Sequence, residues 1–214
     1  MTVFRLANLT YQWGRDERLV RQLAAGAHGD ALADVLILVE ARDAANEPVP
    51  VAQILGPGWD VSQDTSSGAR AGSVIATRRP QARTRWSLAR LLSRAGRRVQ
   101  SRYMRVAAVR DDLGVARVAA LHNPLRSTHR QDDAVDAATS WVNRQRRRRK
   151  RWLVGTDANM HHTSLRADLA APHSFGKDVM AFVWSEGWGD VICTATKYDS
   201  TDHAVLTLTT KENR

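Results

Sequence analysis

Apolar residues fall in short runs separated by polar, glycine-bearing stretches, the pattern of a chain built mainly from strands. Residues 2–9 predict a first strand, with Val3, Phe4, Leu6 and Leu9 apolar and Asn8 near its end. Residues 16–25 predict a helix in which Leu19, Val20 and Leu23 share a face and Gly26 acts as a stop. Residues 33–40 carry the continuous run Val35-Leu36-Ile37-Leu38-Val39, as a strand covered on both faces requires, and Glu40 closes it. Gly56-Pro57-Gly58 marks a turn, residues 60–72 read as a loop, and residues 73–77 and 104–109 as strands. Between them, residues 86–95 predict a short helix with Leu88, Leu91, Leu92 and Ala95 inward. Asp111-Asp112-Leu113-Gly114 predicts a hairpin turn into a strand over 116–121, followed by His122-Asn123-Pro124. Residues 130–149 form an amphipathic pattern with Val135, Ala138, Trp141 and Val142 as its stripe. Strands over 152–155, 190–194 and 204–209 complete the chain.

Many strands, few helices and long crossings favour two packed sheets with helices outside over an alternating parallel fold. A length of 214 residues suits one domain, 1–214, with a core large enough to need no covalent staples. Asn8, Glu40, His122, Asp157, Asn159, Asp190 and His203 all lie at or just beyond apolar runs. Packing of the two sheets is expected to bring these ends onto one rim.

Charge narrows the choice of partner. The formal net charge is +10, which biases binding towards polyanions, because neutralised phosphates release counterions. Residues 65–110 contain twelve arginines and no acid, and residues 144–151 place seven cations in eight positions. Nucleic acid, DNA or RNA, is the expected partner. The single cysteine, Cys193, excludes an internal disulfide and a multi-thiolate metal site, and Val191 and Ile192 beside it predict a buried strand position. No apolar run approaches the roughly 20 residues that cross a bilayer, and no leader pattern is present, so the expectation is a cytoplasmic monomer with no membrane partner.

The candidate chemistry lies in two motifs and one isolated acid. In Gly155-Thr156-Asp157-Ala158-Asn159 an extended backbone puts Asp157 and Asn159 on one face, a carboxylate beside a carboxamide, suited to a water or a phosphate. Thr201-Asp202-His203 sets an imidazole at the mouth of the last strand, as a base or a group that polarises phosphate. Glu40, at the end of a buried strand, is costly unless a cation or donor meets it. His161-His162 resembles a metal pair, but adjacent strand residues face opposite ways, and it reads as loop.

Taken in order, these pieces resemble the endonuclease/exonuclease/phosphatase superfamily, the deoxyribonuclease I-like fold. The resemblance spans nearly the whole chain: Asn8, Leu38-Val39-Glu40, Gly72-Ser73-Val74-Ile75-Ala76, Leu121-His122-Asn123-Pro124, the Asp157 motif, Gly189-Asp190 and Thr201-Asp202-His203. It implies an α+β chain, a four-layered α/β/β/α sandwich of two mainly antiparallel sheets flanked by helices. It also implies a divalent cofactor, Mg2+ with Mn2+ as a substitute. Carried over by position, Glu40 is the principal metal ligand with Asn8 and Asp202 beside it. Asp157 and Asn159 position and deprotonate the water, His203, oriented by Asp190, meets the scissile phosphate, and His122 touches the phosphate or the leaving side. Arg78, Arg79, Arg83, Arg85 and Arg126 are the expected grip on the nucleic-acid backbone. The chain departs from the family in having Thr201 where serine is common, and in having no acid over residues 65–110 to partner His122. The implied activity is a metal-dependent phosphodiesterase, a nuclease. Two other readings stand beside it: a phosphomonoesterase for a small metabolite or lipid headgroup, and a non-catalytic polyanion-binding module.

Overall fold

The structure, a computed structural model, describes residues 1–9, 16–26, 31–43, 47–63, 72–78, 104–111, 114–122, 128–157, 173–174, 181–197 and 204–211. The first sheet comprises β1 (Val3–Asn8), β2 (Val35–Val39), β3 (Trp59–Gln63), β4 (Val74–Arg78), β10 (Asp190–Lys197) and β11 (Ala204–Lys211), in the order β10-β11-β1-β2-β4-β3. The second comprises β5 (Met104–Asp111), β6 (Gly114–His122), β7 (Trp152–Asp157), β8 (His173–Ser174) and β9 (Ala181–Glu186), in the order β5-β6-β7-β9-β8. Only β1 with β2 and β6 with β7 pair in parallel among the described strands, so both sheets are mainly antiparallel.

Alternation along the strands assembles the layers. Phe4, Leu6, Val35 and Ile37 enter one apolar cluster with Val118, Ala120, Leu153 and Val183 of the second sheet. The intervening Ala7, Leu36 and Leu38 pack with Leu19, Leu23, Val51 and Ile54, under α1 (Asp16–Ala25) and α2 (Val51–Leu55). The outer side of the second sheet is met by α3 (Thr128–Arg147), which contacts β5, β6 and β7. Helices therefore flank two facing sheets, the four-layered α+β arrangement. Arg5, fully buried on β1, donates to the carbonyls of Leu23 and Ala31 and so ties α1 to the sheet.

Several elements differ from the sequence expectation. Residues 59–63, expected partly as loop, form β3, because a five-residue edge strand needs only one apolar face, here Trp59 and Val61. The short β9 lacked a clear pattern; it is recruited by pairing with β7. The helix expected over 86–95 lies outside the described residues. No helix among the described residues is long and apolar enough to cross a membrane.

The chain passes from β9 to β10 through Gly187-Trp188-Gly189, and this crossing closes one end of the sandwich. Trp188 is buried, meets Phe4 edge-on at 5.0 Å, and its indole N–H donates to Trp152 O at 2.8 Å. Gly187 has φ 82, and a Cβ there would lie 2.9 Å from Arg151 Cγ, so glycine is needed at this point. The other end, where the two parallel strand pairs finish, stays polar.

Candidate active site

That polar end is built by register. In the parallel pair β1 and β2, Asn8 lies opposite Val39, and Leu9 N–H donates to Val39 O at 3.0 Å, so Asn8 and Glu40 leave the first sheet side by side. In the parallel pair β6 and β7, His122 lies opposite Asp157. The two rims then meet. His122 Nε2 sits 2.7 Å from Glu40 Oε1, with both side chains largely shielded from solvent. With Glu40 ionised, which can only accept, Nε2–H is the donor in this contact.

Glu40 reaches inward because the backbone bends sharply behind it. Its φ is 53, a left-handed conformation that non-glycine residues seldom adopt and that concentrates at functional sites. Gly72 makes the bend possible: its carbonyl accepts from Ala41 N–H at 3.0 Å, and a Cβ at this residue, with φ 47, would lie 2.8 Å from Ala41 N and 3.2 Å from Glu40 C. The glycine that opens the 72–76 run therefore serves the acid that closes the 33–40 run.

Asn8 is 7% exposed and follows Phe4 and Leu6 on the face between the sheets. Ser73, buried just before β4, shares the parity of Ile75 and hence the same face. Sequence reasoning noted Ser73 only as part of a strand; a small hydroxyl residue carries no signal of its own. Gly155 lets the sheets close beneath the rim, since a Cβ there would sit 3.0 Å from Ile37 Cδ1. Among the described residues no group of three or more His, Cys, Asp or Glu side chains gathers. Glu40 and Asn8 are, however, neighbouring oxygen donors, the donor chemistry a hard divalent cation takes, and the residues present fit such an ion.

Two expected site residues lie elsewhere. Asp190 is opposite Lys211, whereas Ala204, which directly follows His203 in the chain, is opposite Lys197. Seven steps along β10, about 23 Å at strand rise, separate Asp190 from that level, and the residue is solvent-exposed at the closed end. It does not orient His203, because a strand returning to the rim in an antiparallel hairpin must begin at the far end. Arg78 is also at the closed end, with its N–H donating to Asp34 O. Its guanidinium donates to Ala33 O and Ala24 O, each at 2.9 Å, and stacks 4.7 Å from the Trp59 ring. It pins the end of α1 and is not a free grip for a backbone.

Chain position points to a different acid. Asp157 is opposite Ala181, the first residue of β9, and Asp178 stands three residues ahead of Ala181. The sequence signal was the strand after it, hidden by an irregular mix of Ala181, Phe182, Val183 and Trp184. Asn159, Asp202, His203, Arg79, Arg83, Arg85 and Arg126 lie outside the described residues. Continuing the β1–β11 register from Leu6 opposite Leu206 brings Ala204 level with Asn8, so β11 starts at the rim. Of the arginine-rich stretch, Arg105 is half-buried opposite Ala120, one pair short of Leu121, while exposed Arg110 is opposite Val115 at the closed end.

This arrangement, two mainly antiparallel sheets whose four parallel strands deliver polar residues to one rim, is the endonuclease/exonuclease/phosphatase fold. No family model matches the sequence, and no curated protein matches it. Solved structures do. The chain is similar to the endonuclease domain of TRAS1, a telomere-specific non-LTR retrotransposon, at 13% identity over 100% of both chains, with a TM-score of 0.62. It is similar to the 3′ phosphatase NExo from Neisseria, bound to a product DNA hairpin, at 15% identity over 99% of this chain and 100% of that one, with a TM-score of 0.61. An endonuclease/exonuclease/phosphatase structure from Beutenbergia cavernae gives 16% identity, 97% and 70% coverage, and a TM-score of 0.62.

Proposed function

We propose that this chain is a divalent-metal-dependent phosphodiesterase that hydrolyses the backbone of DNA or RNA. The observation that carries the reading is the Glu40–His122 contact at the rim where β1, β2, β6 and β7 end. A buried imidazole against a half-buried carboxylate from the other sheet, beside a carboxamide, is an expensive arrangement for a fold to keep without use. The net charge of +10 suits a polyanionic substrate.

In this reading Glu40, Asn8 and Asp202 hold Mg2+ or Mn2+, which when bound polarises the phosphoryl oxygens. Asp157 accepts a proton from the attacking water while Asn159 orients it. His203 donates to a non-bridging phosphate oxygen, where charge grows as the water's oxygen bonds to phosphorus and the P–O bond to the leaving sugar oxygen breaks. Asp178 takes the orienting role first expected of Asp190. His122, which donates to Glu40, keeps that carboxylate aimed into the rim.

Supercoiled plasmid provides the test. Nicking that needs Mg2+, stops with EDTA and is lost in His203→Ala or Asp157→Ala, with binding kept, is the expected result. Hydrolysis unaffected by both substitutions would falsify the residue roles. A second reading draws on the likeness to a 3′ phosphatase: release of a terminal phosphate from a DNA end. Inorganic phosphate appearing without strand scission selects it, and salt-sensitive binding without hydrolysis of any phosphoester selects the non-catalytic module.

A further inference from the structure

The second basic cluster occupies the end of the sandwich opposite the rim. It follows α3 and leads into β7, whose first residue, Trp152, is opposite Arg117, while His122 is opposite Asp157 at the other end. Five strand steps, about 17 Å, separate the two levels. These cations therefore cannot touch the phosphate being cut.

Their local structure is specific. Lys150 N–H donates to Gln145 O at 3.0 Å and Arg149 N–H to Arg146 O at 2.9 Å, the paired bonds that end a helix around one left-handed residue. Glycine usually fills that place; here it is Arg149, with φ 50. Arg146 is engaged with Glu186 at 2.7 Å and lies over the Trp152 ring, and Arg151 stacks 4.7 Å from the Trp188 ring. Arg147, Arg148, Arg149 and Lys150 between them are exposed, and among the described residues none of the four meets a carboxylate. Burial first, and the nearby Arg148 charge second, lower the Arg117 guanidinium below its ordinary range. Cations do favour a helix C-terminus, but that effect fades within the last turn, and this run continues through Lys150 and Arg151.

We propose that this turn is a second nucleic-acid surface, which holds the phosphate backbone of a long substrate while the rim acts on it. The choice of nucleic acid rests on the nuclease reading. A strand would need about five further nucleotides, at 3.4 Å each, merely to span the difference in level, so substrates of four nucleotides cannot use both places.

Anisotropy with a labelled 30-base-pair duplex and the full chain tests binding separately from catalysis. Arg149→Gly is expected to keep or raise Tm, weaken duplex binding several-fold at low salt, and reduce the slope of log K against log salt by about 0.9. Lys150→Gln is expected to do the same without the gain in Tm. Hydrolysis of a four-nucleotide substrate should be unchanged in both. Unchanged affinity and slope would overturn the proposal, as would losses confined to phosphatidylserine–phosphatidylcholine vesicles. Weakened duplex binding in a chain that hydrolyses nothing would leave this surface standing and remove the nuclease reading instead.

Discussion

Glu40 Oε1 and His122 Nε2 stand 2.7 Å apart, although one belongs to the first sheet and the other to the second. The contact is made by side chains that close two parallel strand pairs, so it reports the alignment of the sheets as well as the chemistry of the rim. In the proposed reading its carboxylate also holds the divalent ion.

Glu40→Gln keeps the shape and a hydrogen-bonding oxygen but removes the charge. Metal-dependent hydrolysis is expected to fall by about 100-fold or more, in the range seen when metal-site groups are disturbed, while Tm changes little. Turnover titrated with Mg2+ checks this; wild-type rates at ordinary Mg2+ would remove Glu40 from the site.

Gly72→Ala acts on the same carboxylate from behind. The new Cβ would meet Ala41 N at 2.8 Å on a residue whose φ is 47, so the bend that aims Glu40 must shift. A stability loss of about 1–3 kcal/mol is expected in urea unfolding, together with a fall in turnover that excess Mg2+ only partly restores.

The acids on either side of β9 separate register from resemblance. Asp190→Ala, at the closed end, should leave turnover within about threefold of wild type. Asp178→Ala should lower it by about 100-fold, the low end of what proton-handling or orienting groups supply. Equal effects from the two would contradict the placement inferred from the β7–β9 pairing.

Cys193 lies on β10 and, contrary to the expectation of a buried position, is only half-buried where it packs against the apolar cluster between the sheets, with Ile192 beside it exposed. Burial pushes its thiol from an ordinary 9.0 up to about 12. The thiolate that reacts with disulfide reagents is therefore scarce in the folded chain at pH 8, and labelling should become fast only on unfolding. The sign of the linkage follows: the neutral thiol is the folded form, so its contribution is complete below pH 9.0 and is lost as pH rises towards 12. Rapid native-state labelling at pH 8 would contradict the raised thiol pKa.

Much of this protein follows from local pattern. The continuous run from Val35 to Val39 required a strand covered on both faces, and it runs between α1 and the second sheet. Asn8, Glu40 and His122 stood at the ends of apolar runs, which is why they were legible as candidates. Alternation did not separate core from surface on β1, whose six residues are all buried, Arg5 among them. What it could not contain is the direction in which each strand enters its sheet. Asp190 and Glu40 both flank apolar strands, yet one is exposed at the closed end and the other meets His122, because β10 and β2 both run towards the rim and Asp190 opens its strand whereas Glu40 follows the end of its own. Likewise Arg78 looked like one of many free cations until Trp59 and the carbonyls of Ala24 and Ala33 closed around it. Strand identity depends on neighbours a few residues away, whereas the end of the sandwich a side chain occupies is decided by pairing between distant segments, and only the tertiary structure carries that.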